Sequence, residues 1–280
     1  MSILEAILLG IVQGLTEFLP ISSSGHLILV PWLQDYTFLE QNPSFNKTFD
    51  VALHMGTLVA VIAYFHAELR AIVAGFVRTV RKRSIGVGSE RIAWVIAVGT
   101  VPAVIVGGIG EDWIDDNLGE PWMIAILLIA FGLILWHADR RPQDKGLDRV
   151  RLRYGLYIGL AQALALGPGV SRSGATISMG RYLHLTRDTA ARISFLLAVP
   201  VTLGAGVVKT VEALNEGLPA GVAGPMIAGT ITSAIAGYAA IAWLLALVRR
   251  HSYDVFVAYR LVIGVAVLLL IVTGVYSATF

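Results

Sequence analysis

The chain has no cysteine, and only 14% of its 280 residues are Asp, Glu, Lys or Arg. The missing cysteines exclude disulfides, thiolate nucleophiles and cysteine-ligated metals, and leave the redox compartment undetermined. Soluble domains carry roughly 25% charged residues, so this chain lacks the charge to cover a water-facing surface. A net charge of +2 is too small to recruit nucleic acid, which is excluded as a partner. Apolar residues, in contrast, make up 56% of the chain, with a mean hydropathy of +0.74. Glycine is abundant at 29 residues, as expected where membrane helices pack closely or break. The length would suit one or two soluble domains, but the composition predicts several membrane spans. The first 20 residues have no basic start and contain Gln13 and Glu17, so they are not read as a cleaved signal peptide.

Six stretches are apolar and long enough to cross a bilayer, near 51–66, 92–110, 122–138, 190–212, 222–248 and 256–277. The first is short and is expected to continue toward Leu69. Arg70, Arg78, Arg81, Lys82, Arg83 and Arg91 crowd one connection; Arg140, Arg141, Lys145, Arg149, Arg151 and Arg153 crowd another. Two spans separate these clusters, and the positive-inside rule makes their common side cytoplasmic. The acidic run 111–120 then reads as a solvated loop outside, and Arg249 and Arg250 fall inside. Residues 154–189 must enter and return on the inner side. Residues 3–34 have the same form, opening outward around Pro20-Ile21-Ser22-Ser23-Ser24-Gly25. Both termini are expected outside.

The two hairpins resemble each other at an offset of 149 residues. Gly10, Gln13 and Leu15 meet Gly159, Gln162 and Leu164, while Ser22, Ser24 and Gly25 meet Ser171, Ser173 and Gly174. Each hairpin precedes three spans, and an odd number of spans inverts the second copy. The expected fold is an all-α polytopic membrane protein with an inverted-topology repeat, each half a re-entrant helical hairpin plus three transmembrane helices. Residues 1–150 and 151–280 form the two repeats of one integral-membrane domain.

Broken helices at membrane depth must line a cavity or be buried in protein. Two helix N-termini aimed at one point from opposite leaflets make an anion site, and Arg172 adds a planar fork suited to phosphate. Glu17, which shares a helix face with Gln13, is out of place beside phosphate unless it is protonated or bridged by a divalent cation. The cation is favoured, with Gln13 as a neutral second ligand. Each serine taken alone has a plainer explanation, a hydrogen bond to the preceding turn. That explanation is weak for Glu17 and Arg172, since ionisable residues inside a membrane are functional by default. His54 lies inside a span with no evident partner and is read as structural.

The strings Gln13-Gly-Leu-Thr-Glu17-Phe-Leu-Pro-Ile-Ser22-Ser23-Ser24-Gly25-His26 and Pro168-Gly-Val-Ser171-Arg172-Ser173-Gly174-Ala-Thr resemble the two signature motifs of the undecaprenyl-diphosphatases, the bacitracin-resistance type of membrane lipid phosphatase. Ser194-Phe-Leu-Leu-Ala-Val-Pro200 and His54-Met-Gly56-Thr are similar to further strings of that family. Gln13 stands at the first position of the family's Glu/Gln-x-x-x-Glu motif, where a glutamate would add a second carboxylate. The resemblance implies hydrolysis of undecaprenyl diphosphate to undecaprenyl phosphate and inorganic phosphate, carrier recycling for peptidoglycan, and bacitracin resistance. It also implies Mg²⁺ or Ca²⁺ as cofactor and a bacterial plasma-membrane location with an outward active site. Membrane lipids surround such a protein, and a homodimer is compatible with this reading.

Ser23 is expected as nucleophile and His26, three residues on, as its base, with Glu17 and Arg172 completing the catalytic set. Attack by His26 itself or by water stays open. Gln13, Ser22, Ser24, Gly25, Ser171, Ser173 and Gly174 are expected to bind substrate, and Glu17 and Gln13 the metal. The rival function is a polyprenyl-phosphate flippase of the same architecture. Transport needs no nucleophile beside a base, which favours hydrolysis.

Overall fold

A computed structural model describes residues 1–34, 36–216 and 221–278. Among the described residues it is helical throughout, with a single isolated β-bridge between Lys145 and Leu185. The first hairpin is α1 (Ile3–Phe18) and α2 (Ser23–Gln34). After the short α3 (Thr37–Gln41) come α4 (Pro43–Tyr64), α5 (His66–Lys82), α6 (Ser89–Asn117) and α7 (Pro121–Asp139). The second hairpin is α8 (Leu152–Leu164) and α9 (Arg172–Tyr182), followed by α10 (Arg187–Glu216), α11 (Ala223–Val248) and α12 (Asp254–Val272). Among the described residues, five helices are apolar and long enough to cross a membrane: those containing Ser89–Gly110, Pro121–Asp139, Arg187–Val211, Ala223–Val248 and Asp254–Val272. The chain is an all-α, multi-pass membrane protein.

Two expectations change. The first span does not continue toward Leu69: the chain bends by 84° between α4 and α5. The helix after the bend carries Arg70, Arg78, Arg81 and Lys82, which a lipid core would not accept, while Val73, Val77 and Val80 stay exposed along one face. The acidic run is not a loop either. Helix α6 continues through it to Asn117, and the connection proper is only Leu118–Glu120.

The arms of each hairpin pack on helices of the opposite half, α1 along α11 and α8 along α6. Small residues allow that approach. A methyl group added at Gly14 would meet the Ser233 carbonyl at 2.5 Å, and one at Gly159 would lie 2.8 Å from the Gly99 Cα. Ser233 and Thr230 of α11 donate to the Leu53 and Ala52 carbonyls of α4, at 2.8 and 3.1 Å. At one end of the bundle, buried Asp139 accepts from Arg187 Nε (2.7 Å), Arg187 Nη2 (3.0 Å), Arg181 Nε (3.3 Å) and the Tyr253 backbone N–H (3.0 Å). This joins α7, α9, α10 and the start of α12. Arg187, at the start of α10, is thereby part of the structural framework.

Candidate active site

Both hairpins break at a residue with left-handed backbone, Ser22 (φ 78°) and Ser171 (φ 74°). Such conformations are costly for non-glycine residues and persist where surrounding structure enforces them. Each hydroxyl caps the helix that follows. Ser22 Oγ accepts the Gly25 N–H at 3.3 Å, and Ser171 Oγ accepts the Gly174 N–H at 3.1 Å. The breaks also interlock. Gly169 N–H donates to Ser22 Oγ (3.1 Å), and Ser173 Oγ donates to the Leu19 carbonyl (2.9 Å). Ser24 lies 3.5 Å from Ser22 through their hydroxyls. The hydroxyls of Ser22, Ser171 and Ser173 are thus engaged in holding the breaks in place.

Glu17 is buried at the point where the two broken helices meet. Its Oε1 accepts from Arg172 Nη2 at 2.9 Å, and Arg172 is the first residue of α9. Its Oε2 accepts from Ser23 Oγ at 2.6 Å, and Ser23 is the first residue of α2. Gln13 Nε2 donates to the same oxygen at 3.1 Å, and His54 Nε2 stands 3.5 Å from it. One carboxylate therefore joins α1, α2, α4 and α9. The sequence offered protonation or a cation as the way to tolerate Glu17; the structure adds a guanidinium 155 residues away. Arg172 Nη1 is steadied by the Ser194 carbonyl (3.2 Å), and the Ser194 and Thr176 hydroxyls pair at 2.7 Å.

The expected contact between Ser23 and His26 is absent from this geometry. His26 Nδ1 lies 2.7 Å from the Ser22 carbonyl and Nε2 lies 2.7 Å from the Tyr259 hydroxyl, so both ring nitrogens are engaged elsewhere. The acceptor in place for the Ser23 proton is Glu17. His54, for which the sequence shows no partner, has one in the fold: its Nδ1 donates to the Asp50 carbonyl (2.7 Å), which turns Nε2 toward Glu17.

Arg260 is the residue that sequence reasoning missed. It is 0% exposed and, among the described residues, has no carboxylate partner. Its guanidinium donates to the carbonyls of Pro20 (3.2 Å) in the first break and Gly169 (2.8 Å) and Val170 (3.0 Å) in the second. It also donates to Leu127 (3.3 Å) and Leu128 (3.0 Å) of α7. The Cβ of any side chain placed at Gly174 would stand 3.0 Å from it. A charged residue within the apolar run 256–277 was the available signal.

The donors around Glu17 meet the needs of a divalent cation only in part. Among the described residues no three His, Asp or Glu side chains form a metal cage. The Gln13 Oε1 atom, however, is buried beside Glu17 without a hydrogen-bond partner. One carboxylate and one orphaned amide oxygen match a cation whose remaining ligands are phosphate oxygens and water.

A helical membrane bundle whose two broken helices deliver a serine, an arginine and a buried carboxylate to one point belongs to the membrane proteins built to handle an anionic headgroup. The family model for bacitracin resistance protein BacA matches residues 6–266. The undecaprenyl-diphosphatase of Geobacter sulfurreducens is 50% identical over 272 residues, covering 96% of this chain and 98% of its own. Those of Pelobacter propionicus and Thermomicrobium roseum are each 42% identical, covering 98% and 97% of this chain and 99% of their own. The chain belongs to the bacitracin resistance protein BacA family.

Proposed function

We infer that this protein hydrolyses undecaprenyl diphosphate to undecaprenyl phosphate and inorganic phosphate, returning the carrier lipid to peptidoglycan synthesis and conferring bacitracin resistance. The observation that carries the reading is Ser23 Oγ at 2.6 Å from Glu17, whose other oxygen is paired with Arg172. A nucleophile against a base, with a cation beside both, serves group transfer. A flippase has no use for it.

Phosphoryl transfer requires positioning and charge neutralisation more than covalent assistance. Arg172 and the N-termini of α2 and α9 would receive the terminal phosphoryl group. Ser23 Oγ bonds to that phosphorus as its proton passes to Glu17, and the bond to the bridging oxygen breaks, releasing undecaprenyl phosphate. Water then attacks the phosphoserine, its proton leaving with the inorganic phosphate, as the Ser23 oxygen recovers a proton from Glu17. Glu17 and Gln13 Oε1 would hold Mg²⁺ or Ca²⁺, which when bound supplies further neutralisation of the diphosphate.

Phosphate release from a polyprenyl diphosphate by detergent-purified protein tests this reading. Turnover is expected to vanish in EDTA and to return with Mg²⁺ or Ca²⁺. Gln13→Ala is expected to raise the cation concentration needed for half-maximal rate. Full activity in strong chelator would remove the cation from the scheme.

The inverted repeat is part of the same reading. It is supported by the paired left-handed serines, the paired caps, and the packing of each first hairpin arm on the opposite half. With the basic clusters in the cytoplasm, the first hairpin opens outward in a bacterial plasma membrane and both termini lie outside. A single cysteine from Ser2→Cys or Asn117→Cys is expected to react with a membrane-impermeant maleimide in intact cells, and one from Ser84→Cys to stay unlabelled. The reverse pattern would turn the mouth to the cytoplasm.

A further inference from the structure

Helix α5 turns aside from the bundle instead of crossing it, and its contacts show where it lies. Its first turn is tied to the start of α10, where Arg192 Nη1 donates to Glu68 Oε1 at 3.3 Å. Farther along, α5 crosses the start of α6. Gly75 faces the Glu90 backbone, Arg78 Nε donates to Glu90 Oε1 at 3.1 Å, and Trp94 Nε1 donates to Thr79 Oγ1 at 2.8 Å. The helix thus runs from the start of one spanning helix to the start of another, across one end of the bundle. Placed there after a bend of 84°, it lies near the plane of the bilayer surface.

The circumference of α5 divides into sectors. Leu69 and Ile72 pack on the main core, with Gly75 and Thr79 buried beside them. Val73, Phe76, Val77 and Val80 recur at i, i+3, i+4 and i+7, the spacing of an apolar stripe, and all four are exposed. Phe76 touches Trp94 at the inner edge of the stripe. Arg70 and Arg81 border its outer edge, about 20° and 40° around the helix from Val77 at about 100° per residue. Both are exposed, as is Arg83 at the helix end, and among the described residues these three side chains have no hydrogen bond or ion pair. The one acidic side chain of α5, Glu68, is taken up by Arg192.

We propose that α5 is an interfacial helix that binds anionic phospholipid in the leaflet at this end of the bundle, the cytoplasmic one in the orientation given above. The valine stripe enters the boundary between headgroups and acyl chains, as in surface-lying amphipathic helices. Arg70 and Arg81 extend their apolar stems along that boundary and place their guanidiniums on lipid phosphates. Position and charge select this occupant. A stripe on a helix lying across the bundle end meets the bilayer surface, and unpaired arginines beside it complement the negative potential of anionic lipid. A second copy of the chain fits less well, since a symmetric contact would set the same arginines against each other.

The proposal stands on the fold and is tested without reference to catalysis. Full-length protein with a single introduced cysteine, in a chain that has none of its own, would be reconstituted in vesicles of phosphatidylcholine with or without phosphatidylglycerol. A nitroxide at Val73→Cys, Val77→Cys or Val80→Cys is expected to collide more often with lipid-soluble oxygen than with a water-soluble nickel chelate. At Ala71→Cys, on the opposite side of the helix from the stripe, the order should reverse. A bimane at Val77→Cys should be quenched at least about twofold more by brominated phosphatidylglycerol than by brominated phosphatidylcholine at equal mole fraction. That preference should fade when Arg70→Gln, Arg81→Gln and Arg83→Gln are combined, and also in high salt. The salt arm keeps the arginines in place, so it does not depend on how the variant folds. Nickel access above oxygen access along the stripe, or equal quenching by the two lipids, would overturn the proposal. So would nitroxide–nitroxide broadening at Val77→Cys that disappears on dilution with unlabelled protein, which would seat a second copy on the stripe.

Discussion

Ser23→Ala is expected to lower turnover at least about 1,000-fold, roughly 4 kcal/mol of transition-state stabilisation, while leaving substrate binding largely intact. The size of the effect discriminates between mechanisms. If Ser23 only hydrogen-bonded a phosphate oxygen while water attacked, its removal would cost about 1.5–3 kcal/mol, roughly 10- to 150-fold. A covalent role also leaves a chemical trace. Acid-quenched single turnovers of the wild type should contain phosphoserine, which survives acid, whereas a phosphohistidine would not. Glu17→Gln should be nearly as damaging as Ser23→Ala, because the amide keeps the contact geometry but cannot take the Ser23 proton. The double variant should be little worse than either single one, as for residues acting as a unit. An acid-labile phosphoenzyme trapped by alkaline quench in Ser23→Ala would move the nucleophile to His26.

Arg260→Met is expected to destabilise the protein by roughly 3–5 kcal/mol and to abolish activity without touching substrate. Methionine has comparable length and prefers an apolar interior, so the packing loss is small. The cost comes from five carbonyls that lose their donor, among them those of Pro20, Gly169 and Val170. A buried carbonyl left unpaired costs about 1–3 kcal/mol, and neighbouring helices recover part of the total. Arg260→Lys should rescue little. An ammonium places its three donors at one point, whereas the guanidinium spans carbonyls of both breaks and of α7. The thermal midpoint in detergent measures the stability term, and phosphate release the functional one. A variant with wild-type midpoint and wild-type rate would show that the breaks hold themselves together.

Much of this architecture is legible in one dimension. The membrane class, five of the six spans, both hairpins and the residues Gln13, Glu17, Ser23 and Arg172 follow from hydropathy, charge placement and motif. The first span misled because its apolar run ends at a sharp bend into a helix that carries Arg70, Arg78, Arg81 and Lys82, so α5 turns aside where a window average continues. The acidic run misled in the opposite way, since charge marks contact with water but does not mark the end of a helix. Ser22, Ser171 and Ser173 were expected at the substrate, and their hydroxyls are instead engaged in capping and joining the breaks. In a segment without regular hydrogen bonding, the backbone claims the nearest hydroxyl first.

What the sequence determined by itself is everything set by the bilayer as solvent. Each residue meets that solvent independently, so apolar length, basic flanks and the improbability of Glu17 and Arg172 at membrane depth can be read position by position. What only the tertiary structure decided is pairing: that Ser23 donates to Glu17 rather than to His26, that Arg172 neutralises Glu17 from 155 residues away, that His54 and Tyr259 reach the site, and that Arg260 joins the two breaks. A hydrogen bond depends on distance to within a few tenths of an ångström and on direction. Those distances are set where α1, α4, α9 and α12 meet, and no local pattern of residues carries them.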